Sequence, residues 1–299
     1  MRGIIYALIA NGLWGIYPLY WAQLEGVSLK FLLGARIFLS FLVYALVVGK
    51  KFPVFMQCFK NKDFVKFSFL CSTAMLSNWL LYIYSMVNQK IVESSLGYFM
   101  EPLIVILMGT VLLKEPLNLY QKIGTALVVF ALGMITYFEG MPLFSIVLAS
   151  TFSSYSYFKK IYYKKIKLYK NPHSLEEPPH ENTFYFVVAE GLFMLPWAIG
   201  IMSWIGITQE PIQATSMQLF LLAFSGIITI VPMWTFGKSA QLLSLSLLGF
   251  LQFVAPISQF VIGLYVFKEP LKIYNLYGYI LIWIAVILSL ISTKQTQKS

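Results

Sequence analysis

Long apolar runs separated by short polar breaks are the dominant pattern along this chain. Ten runs are recognisable, at about 4–22, 28–49, 67–87, 92–113, 119–138, 142–158, 183–207, 217–236, 244–267 and 273–292. Each is near the ~20 residues a helix needs to cross about 30 Å of hydrocarbon. Polar and apolar residues do not alternate with the period of two that barrel strands show. In lipid the backbone is satisfied only within helices or closed barrels, so the runs predict helices. The fold class that follows is an all-α polytopic membrane protein with ten transmembrane helices.

A second pattern lies over the first. The text SLGYFMEPLIVILMGTVLLKEPL at 95–117 returns as SLLGFLQFVAPISQFVIGLYVFKEPL at 246–271. A shift of 154 residues puts Phe99 on Phe253, Pro102 on Pro256, Gly109 on Gly263 and the Lys114–Leu117 turn on Lys268–Leu271. The same shift puts Tyr120 on Tyr274 and Gly124 on Gly278. The offset is about half of the 299 residues, which is an internal duplication. Five is an odd number of spans, so the two copies face opposite ways across the bilayer. The expected domains are two inverted five-helix repeats, 1–138 and 139–293, and a cytoplasmic tail at 294–299. The second repeat carries a lysine-rich cytoplasmic loop at 159–182. Inverted repeats give secondary transporters two related states, each open to one side.

Composition strengthens the membrane reading. Hydrophobic residues are 59% and charged residues 11% of the chain, against roughly 45–50% and 25% in soluble domains. The start, MRGIIYALIANGLWGIYPLYW, has no small-x-small cleavage site and reads as a retained first helix. A net charge of +10 raises the question of nucleic acid, and its placement answers it. Arg2, Lys50, Lys51, Lys60, Lys62, Lys66 and the run KKIYYKKIKLYK at 159–170 all fall on one side of the expected topology. That is the positive-inside pattern of a bacterial inner membrane, with both termini cytoplasmic and no nucleic-acid partner. The lysine run suits anionic lipid heads. Cys58 is expected in a cytoplasmic loop and Cys71 near a helix end, with no disulfide framework. His173 and His180 sit in NPHSLEEPPHE, which reads as a solvated proline-rich connector rather than a metal site. Without a phosphate loop, a nucleophile–base pair or metal-ligand spacing, the chain reads as no enzyme and needs no cofactor. The expected partners are the bilayer, a small-molecule substrate and a coupling proton.

Polar residues inside apolar runs are costly in lipid and mark candidate chemistry. Arg36 lies eight residues into the second helix, about 12 Å deep at 1.5 Å per residue. It is a candidate for an anionic group of the substrate, or for a structural ion pair with Glu101. Glu101 precedes Pro102, where a carbonyl loses its helical partner, and Glu190 lies in the seventh helix. Both are candidate coupling carboxylates. Asn78 and Trp79 are expected to open the third helix, with Tyr82 four residues on from Asn78 and on the same face. Tyr98 and Gln252 are equivalent positions of the repeat, and Gln259 follows Gln252 on one helix face. Buried amides need partners, so these point inwards. Trp14 and Tyr17 complete the candidate cavity. Pro18, Pro102, Pro196, Pro232 and Pro256 are expected kinks, and Gly109 and Gly263 close helix approaches.

These motifs carry a family resemblance. LWGIYPLYW at 13–21, GARIFLS at 34–40, NWLLYIYSMVNQKIVESSLGYFMEPL at 78–103, Glu190 with Pro196, GFLQFVAPISQF at 249–260 and both KEPL turns resemble the drug/metabolite transporter superfamily. Within it, the chain resembles the RarD permeases with two EamA-type repeats. The resemblance implies ten helices, cytoplasmic termini and a cavity between the halves. One departure is Glu101, where such permeases commonly carry asparagine. The function implied is a secondary-active permease that moves a small amphipathic metabolite or drug by alternating access, exporting it with proton coupling or exchange. An alternative is uptake or exchange of a charged host metabolite such as S-adenosylmethionine, held by Glu101 and the aromatics. A non-transporting membrane scaffold is the reading from another class. Counterflow separates the first two, and stabilisation by solute counts against the third.

Overall fold

Several of the apolar runs start as helices at a polar capping residue, and others start without one. The structure is a computed structural model and describes residues 1–88, 91–140, 143–169, 179–209, 212–268 and 273–296. In chain order the α-helices are α1 (Arg2–Ala22), α2 (Leu29–Val48), the short α3 (Phe52–Gln57), α4 (Lys62–Val87), α5 (Ile91–Leu107) and α6 (Leu119–Glu139). They continue with α7 (Leu143–Tyr169), α8 (Thr183–Thr208), α9 (Ser216–Ala223), α10 (Ser225–Leu242), α11 (Leu245–Gln252), α12 (Val254–Tyr265) and α13 (Ile273–Thr296). Side-chain caps satisfy the first free N–H groups. Asn118 and Gln121 form a capping box on α6, Thr215 and Gln218 one on α9, and the Ser244 hydroxyl accepts from Leu247 N. Gly140 ends α6 at φ 82°, a conformation that a side chain disfavours.

Eight helical stretches among the described residues are long and apolar enough to cross a membrane, and Leu276–Ile291 of α13 is a shorter apolar helix. The protein is a multi-pass, all-helical membrane protein. Its surface confirms the solvent: Leu46, Tyr137 and Ile207 are about 80% exposed (82%, 83% and 80%). Asn78, Lys159 and Glu190 are instead buried. α7 is too polar to qualify as an apolar span, and its packing explains why. It lies against α4, α5 and α10, and no residue from Leu148 to Tyr163 is exposed. A helix largely covered by its neighbours can carry serines and a lysine.

The helices differ from the expected runs in several places, and the eighth run is divided at Phe224 into α9 and α10. α7 continues through Lys159, Lys160, Lys164 and Lys165 to Tyr169, so the first part of the expected 159–182 loop is helix. The ninth run is broken at Phe253 into α11 and α12. Pro256 supplies the cause, because it has no N–H for the Gln252 carbonyl and its ring crowds that carbonyl. Pro18, Pro102, Pro196 and Pro232 lie inside α1, α5, α8 and α10 without dividing them. After α5 the chain widens into one π-helical turn, Met108–Leu112.

The 154-residue spacing reappears in the helix starts. Leu29 and Thr183, Lys62 and Ser216, Ile91 and Leu245, Leu119 and Ile273 each differ by it. The packing follows the same exchange. α1 packs on α10 as α7 does on α4, and α1 on α12 as α7 on α5. α2 packs on α10 as α8 does on α4, while α2–α8, α6–α13 and α5–α11 pair with their own counterparts.

Candidate functional site

The polar side chains gather into three places. A cleft of about 230 Å³ lies between α1, α2, α4, α7 and α10, lined by Trp14, Tyr17, Arg36, Met75, Trp79, Phe152, Thr229 and Met233. Arg36 dominates it. The guanidinium carbon lies 3.6 Å from the centre of the Trp79 ring and 5.6 Å from that of Trp21. Tyr17, Tyr20, Tyr82 and Tyr98 are within electrostatic reach. Tyr17 and Tyr20 donate their hydroxyls to the Ile228 and Leu221 carbonyls, so both rings are fixed. Trp14 packs edge-on against Phe152 at 5.4 Å. Arg36 forms no ion pair among the described residues, and its Nε is buried with no hydrogen-bond partner. A cation supported only by aromatic faces keeps its strong directional donors for another group.

The expected Arg36–Glu101 pair does not form. Glu101 is turned into a second place, a buried network between α5, α7 and α11. Gln252 Nε2 donates to Glu101 Oε1 at 2.9 Å and to Ser156 Oγ at 3.2 Å, and Ser153 donates to the Glu101 carbonyl at 3.1 Å. The Gln252–Glu101 contact joins α11 to α5. Gln259 Nε2 donates to the Trp14 carbonyl at 3.1 Å, which ties α12 to α1.

Asn78 and Trp79 do not open their helix. α4 begins at Lys62, which puts them 17 and 18 residues along it. Asn78 Nδ2 donates to Thr151 Oγ1 at 3.0 Å, and its Oδ1 accepts from the Tyr98 hydroxyl at 3.2 Å. Tyr82 meets Tyr98 at 6.0 Å between ring centres and is itself exposed. Of the candidates, the cleft lining therefore contains Trp14, Tyr17, Arg36 and Trp79.

Glu190 forms the third place with a residue that the sequence assigned to the surface. Lys159 Nζ lies 3.0 Å from Glu190 Oε1 and donates to Oε2 at 3.1 Å, both side chains being 0% exposed. Lys159 also donates to the Tyr155 hydroxyl. Cys71 is near this pair, ten residues into α4 rather than near a helix end, and Cys58 is buried beside α3. Lys159 looked like the first member of a solvated lysine run. Its spacing of four from Tyr155 was the available signal that it shares the interior face. His180 lends its carbonyl to the Tyr162 hydroxyl at 2.5 Å. His173 and Glu269, Pro270 and Leu271 of the second KEPL turn lie outside the described residues.

The first KEPL turn acts structurally. Lys114 takes φ 54°, and Glu115 accepts from Leu245 N and Ser246 N at 2.8 Å and from Ser246 Oγ at 2.6 Å. The carboxylate thus caps α11 from the other repeat. Gly109 makes room for it, since a Cβ there would stand 2.5 Å from Ser246 Oγ.

Known proteins align with this arrangement over nearly its whole length. The EamA-like transporter family matches residues 1–137. The chain is 32% identical to the protein RarD of Streptomyces exfoliatus, over 96% of this chain and 87% of that one. It is 30% identical to the uncharacterized transporter YojE of Bacillus subtilis (100% and 97%) and 28% to the protein RarD of Escherichia coli K12 (99% and 96%). A solved crystal structure shares the fold at a TM-score of 0.67 and 16% identity, covering 96% of both chains. The chain belongs to the EamA-like transporter family, among its RarD-type permeases.

Proposed function

We propose that this membrane transporter is a secondary-active permease that binds a small amphipathic solute by an anionic group at Arg36 and moves it by alternating access. The observation that carries the reading is Arg36 itself, a cation in an aromatic cleft with no carboxylate in ion-pairing distance among the described residues. A bidentate contact with a carboxylate is the geometry that guanidinium donors favour, and Trp14, Tyr17 and Trp79 offer flat apolar surface for the rest of the solute. The proposal includes ten spans in two inverted repeats and an inner-membrane site with both termini in the cytoplasm. The 154-residue spacing of helix starts and the exchange-related packing support the repeats. Lys165 Nζ lies 2.9 Å from Asp63 Oδ1, which brings two lysine-rich segments to one end of the bundle, as a single cytoplasmic side requires. Export with proton coupling or exchange is part of the same reading, with the buried Glu101 and Glu190 as proton carriers.

Uptake of a cationic metabolite through Glu101 fits less well, because that carboxylate is held by Gln252 and does not line the cleft. Thermal stability of the purified protein against anionic, cationic and neutral metabolites tests the choice. A ligand at 100 times its Kd adds about 2.7 kcal/mol. The expected hit is an organic anion whose effect is lost in Arg36→Gln and kept in Glu101→Gln. A cationic hit lost in Glu101→Gln instead would overturn the anion reading.

A further inference from the structure

Arg36 and Glu190 are the same position of the repeat. They are 154 residues apart, and each is the eighth residue of a helix whose start repeats at that spacing, α2 and α8. Contacts give the relation between α1 and α7. Gly15 lies against the Ala255 carbonyl, 3.3 Å from where its Cβ would stand, and Ser153 donates to the Glu101 carbonyl. Residues 101 and 255 are themselves 154 apart, so Gly15 corresponds to Ser153, a spacing of 138. Trp14 then corresponds to Phe152, Tyr17 to Tyr155 and Trp21 to Lys159.

With these correspondences the cleft lining resolves into pairs. It contains Trp14 with its counterpart Phe152, Met75 with Thr229, and Trp79 with Met233. The cleft therefore straddles the axis that exchanges the repeats. Tyr17 and Arg36 alone lack their counterparts in the lining. Those counterparts, Tyr155 and Glu190, are sealed at 0% exposure together with Lys159.

We infer that Lys159, Glu190 and Tyr155 are a second ligand face of the same cleft, closed in this conformation, which opens to the opposite side of the membrane when the repeats exchange conformations. The inference rests on the transporter reading above and adds the site at the other end of the cycle. Its ligand is the same organic anion, received there by the Lys159 ammonium. The two faces differ in one respect. Arg36 has no protein anion among the described residues, whereas Lys159 already holds Glu190. An incoming carboxylate must compete with Glu190 on that side, so the anion binds more weakly there than at Arg36.

Single cysteines test this in the full chain carrying Cys58→Ala and Cys71→Ala, reconstituted in liposomes. A membrane-impermeant maleimide is applied from each side, with and without benzoate as the probe anion. Tyr17→Cys is expected to label from one side and to be protected by benzoate, and Tyr155→Cys to label only from the other. Lys159→Cys combined with Glu190→Gln leaves no orphaned charge and serves as the second reporter if Tyr155→Cys does not fold. Benzoate protection of Tyr17→Cys, with both second-face reporters silent from either side, overturns this inference and leaves the transporter reading standing. Absence of benzoate protection at Tyr17→Cys counts against the anion reading itself, and this inference falls with it.

Discussion

Arg36 and Lys159 are cations held away from bulk water by opposite means. Aromatic faces carry the first, and a carboxylate at 3.0 Å carries the second. A buried ion pair gains little over apolar packing, but removing one partner leaves an uncompensated charge. Lys159→Met or Glu190→Leu alone should therefore cost about 3–5 kcal/mol, and the double substitution much less than the sum. Thermal unfolding in detergent reads this as a large loss in each single variant and partial or full recovery in the double. Equal, additive losses would mean that the pair is not coupled. Arg36 was legible in the sequence because GARIFLS places one charge inside an apolar run. Lys159 was not, because a lysine before KIYYKK looks like the end of a span. Whether such a residue faces water or the interior depends on which helices pack around α7, and the spacing of four from Tyr155 is the one local hint of it. The equality of positions 36 and 190 is present in the numbering, but it acquires meaning only once Arg36 lines the cleft and Glu190 is buried outside it.

Helix ends account for the other differences between pattern and structure. Hydropathy set the helix starts at 29, 119 and 183 to within a residue or so; Asn118 and Asn182 cap the last two, while Ser28 precedes the first without a capping bond. It missed the break at Phe253, since an apolar run looks the same whether or not its hydrogen bonds continue. The KEPL turn was visible as a repeat, while its role was hidden because Glu115 acts on residues 130 positions away. Glu115 receives two backbone N–H groups and a hydroxyl at the start of α11. Glu115→Ala should lower stability by about 2 kcal/mol, the upper range for loss of a cap. Hydrogen exchange should speed up first at Leu245 and Ser246. Unchanged exchange there would remove the capping role.

At the scale of the whole molecule, the 154-residue repetition in the sequence does most of the explaining. It accounts for equal helix starts, for packing that repeats under exchange, and for a cleft lined by matching pairs. The departures from equivalence, Arg36 against Glu190 and Trp21 against Lys159, are where chemistry differs between the halves. On the proposed alternating-access reading, symmetric packing would give two states of similar energy, with unequal charges deciding what each state binds. A scaffold would gain nothing from keeping an unpaired guanidinium in a cleft. The most direct measurement is solute counterflow in proteoliposomes, using the organic anion that best stabilises the protein. Wild type should accumulate labelled solute transiently against its gradient when preloaded with unlabelled solute, and Arg36→Gln should not. If a stabilising anion gives no counterflow in the wild type, or an equal signal in Arg36→Gln, the claim that this cleft carries a solute across the membrane on Arg36 is wrong.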